Sequence, residues 1–244
     1  MEDVIEAMDR AGVDLSVLVN IGWSDHGLCR ETNDYLLAAA ARYPKRLAVF
    51  CGVNPSAGKE AVQEIARCAG LGALGVGELH PDYQGYSLSD VAVMRPVMEA
   101  AAHLGLVVLT HASEPVGHEY PGKGAVTPDI LYRFIVAFPE SPIILAHWGG
   151  GLPFYALMPE VRKSLANVYF DSAASPFLYE ASIFEKVVSL VGAERVLFAT
   201  DYPLITQERL LLQVQEAGLT SRARDRILGG NAAALLRLDG SGGS

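Results

Sequence analysis

The chain contains no apolar run approaching the ~18 residues needed to cross a bilayer. Its opening stretch, MEDVIEAMDR, is acidic where a signal peptide needs a basic and then apolar start. Both absences predict a cytoplasmic protein with no membrane partner. Cysteine is scarce. Cys29, Cys51 and Cys68 are widely spaced, odd in number and without a Cys-x-x-Cys pair, which argues against a disulfide framework and for buried, reduced thiols. Positive charge is also short: 19 Lys and Arg stand against 28 Asp and Glu, a formal charge of −9 with no basic run. Such a chain is a poor candidate for nucleic-acid binding. No Pro-, Gly- or Ser-rich linker divides the sequence, so residues 1–237 read as one domain. Residues 238–244, ending Gly-Ser-Gly-Gly-Ser, read as a flexible tail.

What the sequence does contain is alternation. Apolar, β-branched runs at 15–21, 46–53, 73–80, 106–112, 142–148, 167–173 and 195–201 predict seven strands. Their continuous apolar character suits parallel strands covered on both faces. Amphipathic stretches lie between them at 32–42, from Ser56 onward, and at 91–104, 127–138, 179–191 and 207–217. A last helix is expected over 221–236. Thr127-Pro128 is a good N-cap and first-turn pair. Strict βα alternation in about 240 residues predicts an α/β fold, either a closed barrel or a doubly wound sheet. Polar residues fall at the ends of many successive strands: Glu78 and His80, His111, His147, Asp171 and Asp201. An open sheet concentrates its site at one switch point, whereas a barrel gathers strand ends around one mouth. The prediction is therefore a TIM-type (β/α) barrel. It lacks its first strand, because the chain opens with a helix in which Val4, Ile5, Met8 and Ala11 share a face.

His111, His147 and Asp201 each directly follow a buried apolar run. One histidine in such a place is usually an ordinary core residue. Two histidines and an aspartate at equivalent ends are costly to bury unless paired or coordinating a cation. Imidazole with carboxylate suits a divalent metal, zinc first, with manganese or iron as alternatives.

The segments GVGELHPDYQG (75–85), LTHASEP (109–115), LAHWGGGLP (145–153), FATDYP (198–203) and GGNAAALL (229–236) together resemble strand-end motifs of the amidohydrolase superfamily. Within it, the resemblance is to the amidohydrolase-related group that includes aminocarboxymuconate-semialdehyde and resorcylate-type decarboxylases, and it covers nearly the whole chain. It implies that His111 is a metal ligand and that His147 is a ligand or holds metal-bound water or substrate. It implies that Asp201 is both ligand and proton shuttle, and that Glu78 stands where some members supply a bridging ligand. Asp201 and His147 are then the catalytic pair. The implied activity is that of a metal-dependent hydrolase, which activates water to cleave a C–N or C–O bond of a small substrate. Alternatives are a non-oxidative decarboxylase (a lyase) of the same group, a TatD-like phosphodiesterase, and a metal-free, non-catalytic barrel.

That last alternative arises from a departure. The family's first strand carries a His-x-His pair of ligands, and none of the six histidines here forms one. The intact remaining motifs favour a natural start upstream of Met1 over loss of the pair. A missing strand would also leave two edges facing an open slot, which invites pairing with another chain, so a homo-oligomer is expected. Substrate contacts are assigned to His80, to Trp148 and to Lys123 of the Gly-rich loop 116–124. Gly149–Gly151 is either a tight turn or a backbone N–H site near a ligand. His103 and the Asp25-His26 pair read as structural or surface.

Overall fold

A computed structural model describes residues 1–238. The expected alternation is present. In chain order, helix α1 (Glu2–Ala11) precedes strand β1 (Ser16–Val19), followed by α2 (His26–Arg42) and β2 (Leu47–Cys51). Next come α3 (Lys59–Gly70), β3 (Gly75–Leu79), the short α4 (Pro81–Gln84), α5 (Val91–His103) and β4 (Val107–Thr110). Then follow α6 (Pro128–Ala137), β5 (Ile143–Leu145), α7 (Pro159–Ser164), β6 (Val168–Asp171), α8 (Ser175–Leu178) and α9 (Ser182–Val191). The chain finishes with β7 (Val196–Leu197), α10 (Gln207–Glu216), α11 (Ser221–Asp225) and α12 (Asn231–Leu235). The seven strands form one all-parallel sheet in sequential order, curled as in a TIM barrel. Among the described residues no ladder joins β7 to β1. On the outside, however, α1 packs against α10, where Arg10 lies 3.7 Å from Glu208.

Strand alternation divides the core in two. Val49, Cys51, Val76, Val108, Ile143, Leu145, Val168, Phe170 and Val196 face outward and pack with Ile65, Met94, Met98, Leu131, Phe134 and Phe184 of the surrounding helices. Phe50, Val107, Leu109, Ile144 and Leu197 face inward and make a separate cluster, which Leu235 and Leu236 from the chain's end help to fill.

Several boundaries differ from the sequence reading. Helix α2 starts at His26 rather than residue 32, because the Asp25 side chain caps it by accepting from Leu28 N–H at 2.9 Å. The single helix expected over 221–236 is three pieces. A wider turn spans Arg226–Gly230, and extended backbone at Gly229 interrupts the run. Three short helices, α4, α7 and α8, were not anticipated. Each carries proline in its first turn, where a fixed φ and a missing N–H do no harm. Among the described residues, no helix is long and apolar enough to cross a membrane. All but the first residue of the expected 238–244 tail lies outside the described residues.

Candidate metal centre

The inward face of β4 sets the frame. Val107 and Leu109 point inward, so the same parity carries His111 to the mouth. The other two principal groups arrive by breaking parity. On β3, Val76 and Leu79 both face the outer core, although they are three residues apart. The register with β4 shifts between them, a bulge that turns Glu78 inward. Gly77 makes this possible: its φ is 144, and a Cβ there would strike the Leu109 carbonyl. On β5, Ile143 and Leu145 face outward, and simple alternation would send His147 the same way. Instead His147 takes φ 52 and opens a left-handed turn that runs through Gly151. The tight-turn reading of Gly149–Gly151 is the one observed.

The three side chains meet. Glu78 Oε1 lies 2.9 Å from His111 Nδ1 and 3.8 Å from His147 Nε2. One donor atom from each residue lies within 4.8 Å of the others, and among the described residues this is the one such cluster. His147 Nδ1 contacts the Ala173 carbonyl at 3.1 Å, which leaves Nε2 directed at Glu78. His111 Nε2 is 3.3 Å from Ser113 Oγ. His80 stacks on His111 with ring centroids 4.0 Å apart, and Tyr83 lies against His80 at 4.3 Å.

Charge follows from this packing. Burial alone would raise the Glu78 carboxyl, but the His111 hydrogen bond and the nearby imidazoles outweigh it and hold the group at about 2. Burial would lower His147, yet Glu78, Asp171 and Asp201 raise it. Burial beside His111 pushes His80 down to about 4. Asp171 is pushed up to about 6 by burial, against the opposing pull of His147 and two backbone N–H groups. Asp201 keeps solvent contact at the rim, and burial of its surroundings raises its carboxyl. The centre therefore holds three carboxylates and three imidazoles with no lysine or arginine among the groups that set their ionisation. Glu78 is negative and lies between two imidazoles. The donor chemistry of such a set fits a divalent cation such as Zn²⁺, Mn²⁺ or Fe²⁺.

The remaining expected residues are placed as follows. Asp201 is coupled electrostatically to Glu78, His111 and His147 but stands outside the three-donor cluster. Trp148 is fully buried, donates from Nε1 to Ser175 Oγ at 2.9 Å and packs edge-on against Phe184. It presents no exposed surface to a ligand, which corrects its expected substrate role. The Lys123 ammonium is engaged within its own loop by the carbonyls of Val116 and His118 and by Glu119. The structure thus does not direct it toward the centre. Asp171, named only as a strand-end residue, proves to accept hydrogen bonds beneath His147. Its inward parity with Tyr169 was the available signal.

The sequence model of the family described as Amidohydrolase matches residues 9–238. A 2-amino-3-carboxymuconate-6-semialdehyde decarboxylase of Dictyostelium discoideum is 24% identical over 96% of this chain and 76% of its own length. A 6-methylsalicylic acid decarboxylase of Penicillium expansum is 27% identical over 75% of this chain and 66% of its own. Among solved structures, the 5-carboxyvanillate decarboxylase of Sphingomonas paucimobilis superposes with a TM-score of 0.82 at 21% identity, covering 96% of this chain and 82% of that one. The corresponding Novosphingobium aromaticivorans enzyme, solved with bound manganese, gives 0.82 at 20% identity, covering 97% and 81%.

Proposed function

The chain belongs to the amidohydrolase family, and from that premise we propose that it is a metal-dependent, non-oxidative decarboxylase of a small carboxylic acid. The observation that carries this reading is the convergence of named relatives on loss of a carboxyl group, joined to a donor cluster of the right chemistry at the strand ends. It favours the lyase alternative over the hydrolase expected first.

Glu78, His111 and His147 would hold the cation, with Asp201 beside them. When bound, the cation supplies fixed positive charge that orients a substrate carboxylate and draws electron density from it. Manganese is the first metal to test, and zinc the second.

The chain's own groups account for the proton. In decarboxylation the bond to the carboxyl carbon breaks, carbon dioxide leaves, and the electron pair stays on the ring or chain carbon. That carbon must then gain a proton. Asp201, whose carboxyl is raised by burial, keeps its proton to higher pH than an ordinary aspartate and can deliver it. Its solvent contact allows the proton to be replaced.

The test is direct. Protein loaded with Mn²⁺ or Zn²⁺ is incubated with aromatic and enoic carboxylic acids, and released carbon dioxide is measured. Turnover that incorporates ¹⁸O from water into a cleaved amide or ester, with no carbon dioxide, would overturn this reading in favour of hydrolysis.

A further inference from the structure

His147 sits in a backbone state that a non-glycine residue adopts only under constraint. Five consecutive residues, His147 to Gly151, have φ between 52 and 93, and the first two carry side chains. Each non-glycine residue in this region costs of order 1 kcal/mol or more. Something local must hold the turn.

Packing supplies part of the constraint. A Cβ on Gly150 would collide with the Ser113 carbonyl, and one on Gly149 would lie 3.0 Å from the Phe170 ring. The polar constraint comes from the end of β6. Asp171 is 5% exposed. Its Oδ1 accepts the His147 N–H at 3.0 Å and the Ala173 N–H at 3.0 Å. The Ala173 carbonyl in turn accepts from His147 Nδ1 at 3.1 Å. One carboxylate oxygen therefore ties the backbone of His147 to the loop whose carbonyl sets its ring.

We propose that Asp171 is a positioning residue. Through its two backbone hydrogen bonds it locks the left-handed turn at His147 and aligns the Ala173 carbonyl, so that His147 is the Nδ1–H tautomer with Nε2 bare toward Glu78. Asp171 itself touches neither substrate nor cation. Its contribution is the direction and tautomer of a ring whose Nε2 must be unprotonated to serve the centre. The acceptor oxygen matters here, and the charge does not.

The tautomer arm of the test is independent of the decarboxylase reading; only the metal arm rests on the centre binding a cation. Protein with ¹⁵N-labelled histidine is examined by two-bond ¹H–¹⁵N correlation at a pH well above the ordinary histidine range. The His147 ring is assigned from its loss in His147→Gln. The wild type should show a protonated Nδ1 and a bare Nε2. Asp171→Asn, which keeps an acceptor oxygen, should show the same pattern, whereas Asp171→Ala should show both nitrogens averaged between tautomers. Mn²⁺ affinity, read by electron paramagnetic resonance of free Mn²⁺, should weaken about ten- to a hundredfold in Asp171→Ala and stay within about threefold in Asp171→Asn. A wild-type ring protonated at Nε2 overturns the proposal without any variant, even if Asp171→Ala does not fold. An unaltered tautomer in folded Asp171→Ala overturns it as well. So does an affinity loss in Asp171→Asn as deep as in Asp171→Ala, because charge rather than hydrogen bonding would then be responsible.

Discussion

Two buried polar clusters lie at the strand ends, and they are built on opposite terms. One lies beyond β1 and β2. Asn33 bridges Gly52 through both ends of its amide, accepting at 2.8 Å and donating at 2.9 Å, and also donates to Glu64 at 2.9 Å. Glu64 takes two bonds from Arg67, at 2.8 and 2.7 Å, and Arg67 reaches Asp34 at 2.7 Å. Gly52 is glycine because a Cβ there would overlap the Asn20 side chain. Every charge in this cluster has a partner of opposite sign. The second cluster, Glu78 with His111, His147, Asp171 and Asp201, has carboxylates but no permanent cation. A buried set that is saturated holds the fold together. A buried set that is short of positive charge is kept for something it binds.

The largest effect expected from this difference is on activity. Asp201→Asn should lower kcat/KM by about 10³-fold or more, since it removes the proposed proton donor, a loss of roughly 4 kcal/mol in transition-state stabilisation. Its thermal midpoint should change little, because Asp201 is at the rim and, among the described residues, pairs with no other side chain. Matched turnover and melting measurements check this. A large fall in the midpoint would mean that the mouth is structural too, and the contrast between the clusters would fail.

Glu64→Gln is the mirror experiment. It removes one of the two carboxylates held by the partly exposed Arg67, which keeps Asp34, and should cost about 2 kcal/mol of stability, the range for hydrogen bonds to a charged group. The folded enzyme should turn over normally at low temperature. The effect is also pH-dependent. Burial opposes ionisation of Glu64, but hydrogen bonds from Arg67 and Asn33 outweigh it and hold the group at about 2, against an ordinary 4.5. A lowered carboxyl stabilises fully above its unfolded value and loses that stabilisation as pH falls through its folded value. The stability gap between wild type and Glu64→Gln should therefore be complete above about pH 4.5 and shrink toward pH 2. Denaturant unfolding across that range measures it. A gap that widened with acid would contradict the pairing.

The two clusters were unequally legible. Apolar runs announced all seven strands, and the residues ending them announced His111 and His147 of the three-donor cluster, while Asp201, read the same way, stands outside it. What one sequence does not display is direction. By alternation His147 should point outward, and Glu78 should share the face of Val76. A bulge at Gly77 and the left-handed turn at His147 reverse both. The glycines that permit these reversals were visible, but glycine marks an ordinary turn just as well. The saturated cluster was not legible at all. Asn33 and Glu64 are 31 residues apart on separate helices, where each resembles a solvent-facing polar position. Trp148 misled for the opposite reason: adjacency to His147 suggested a pocket wall, and the turn buries its ring.

Gly150→Ala should blur the contrast, with a smaller effect on each side. The added Cβ meets the Ser113 carbonyl at a φ of 57, which should cost about 2 kcal/mol. Because the same turn carries His147, Mn²⁺ affinity should fall together with the melting midpoint. Loss of stability with unchanged affinity would show that His147 is held by Asp171 alone.

The smallest effect is expected at Lys123, and it marks where the mouth ends. The side chain is 8% exposed, yet its ion-pair partner Glu119 is largely in solvent. Such a pair contributes about 1 kcal/mol or less. The two loop carbonyls that share the ammonium, at 3.4 Å from Val116 and 3.2 Å from His118, fold the side chain back along residues 116–123. Lys123→Met should thus lower the melting midpoint by a degree or two and leave KM for a carboxylate substrate within about twofold. The informative alternative is a tenfold rise in KM at constant kcat. That split would mean that the loop opens when an anion arrives and releases the ammonium to it. The positive charge missing from the second cluster would then come in part from a side chain that the unliganded fold keeps occupied elsewhere.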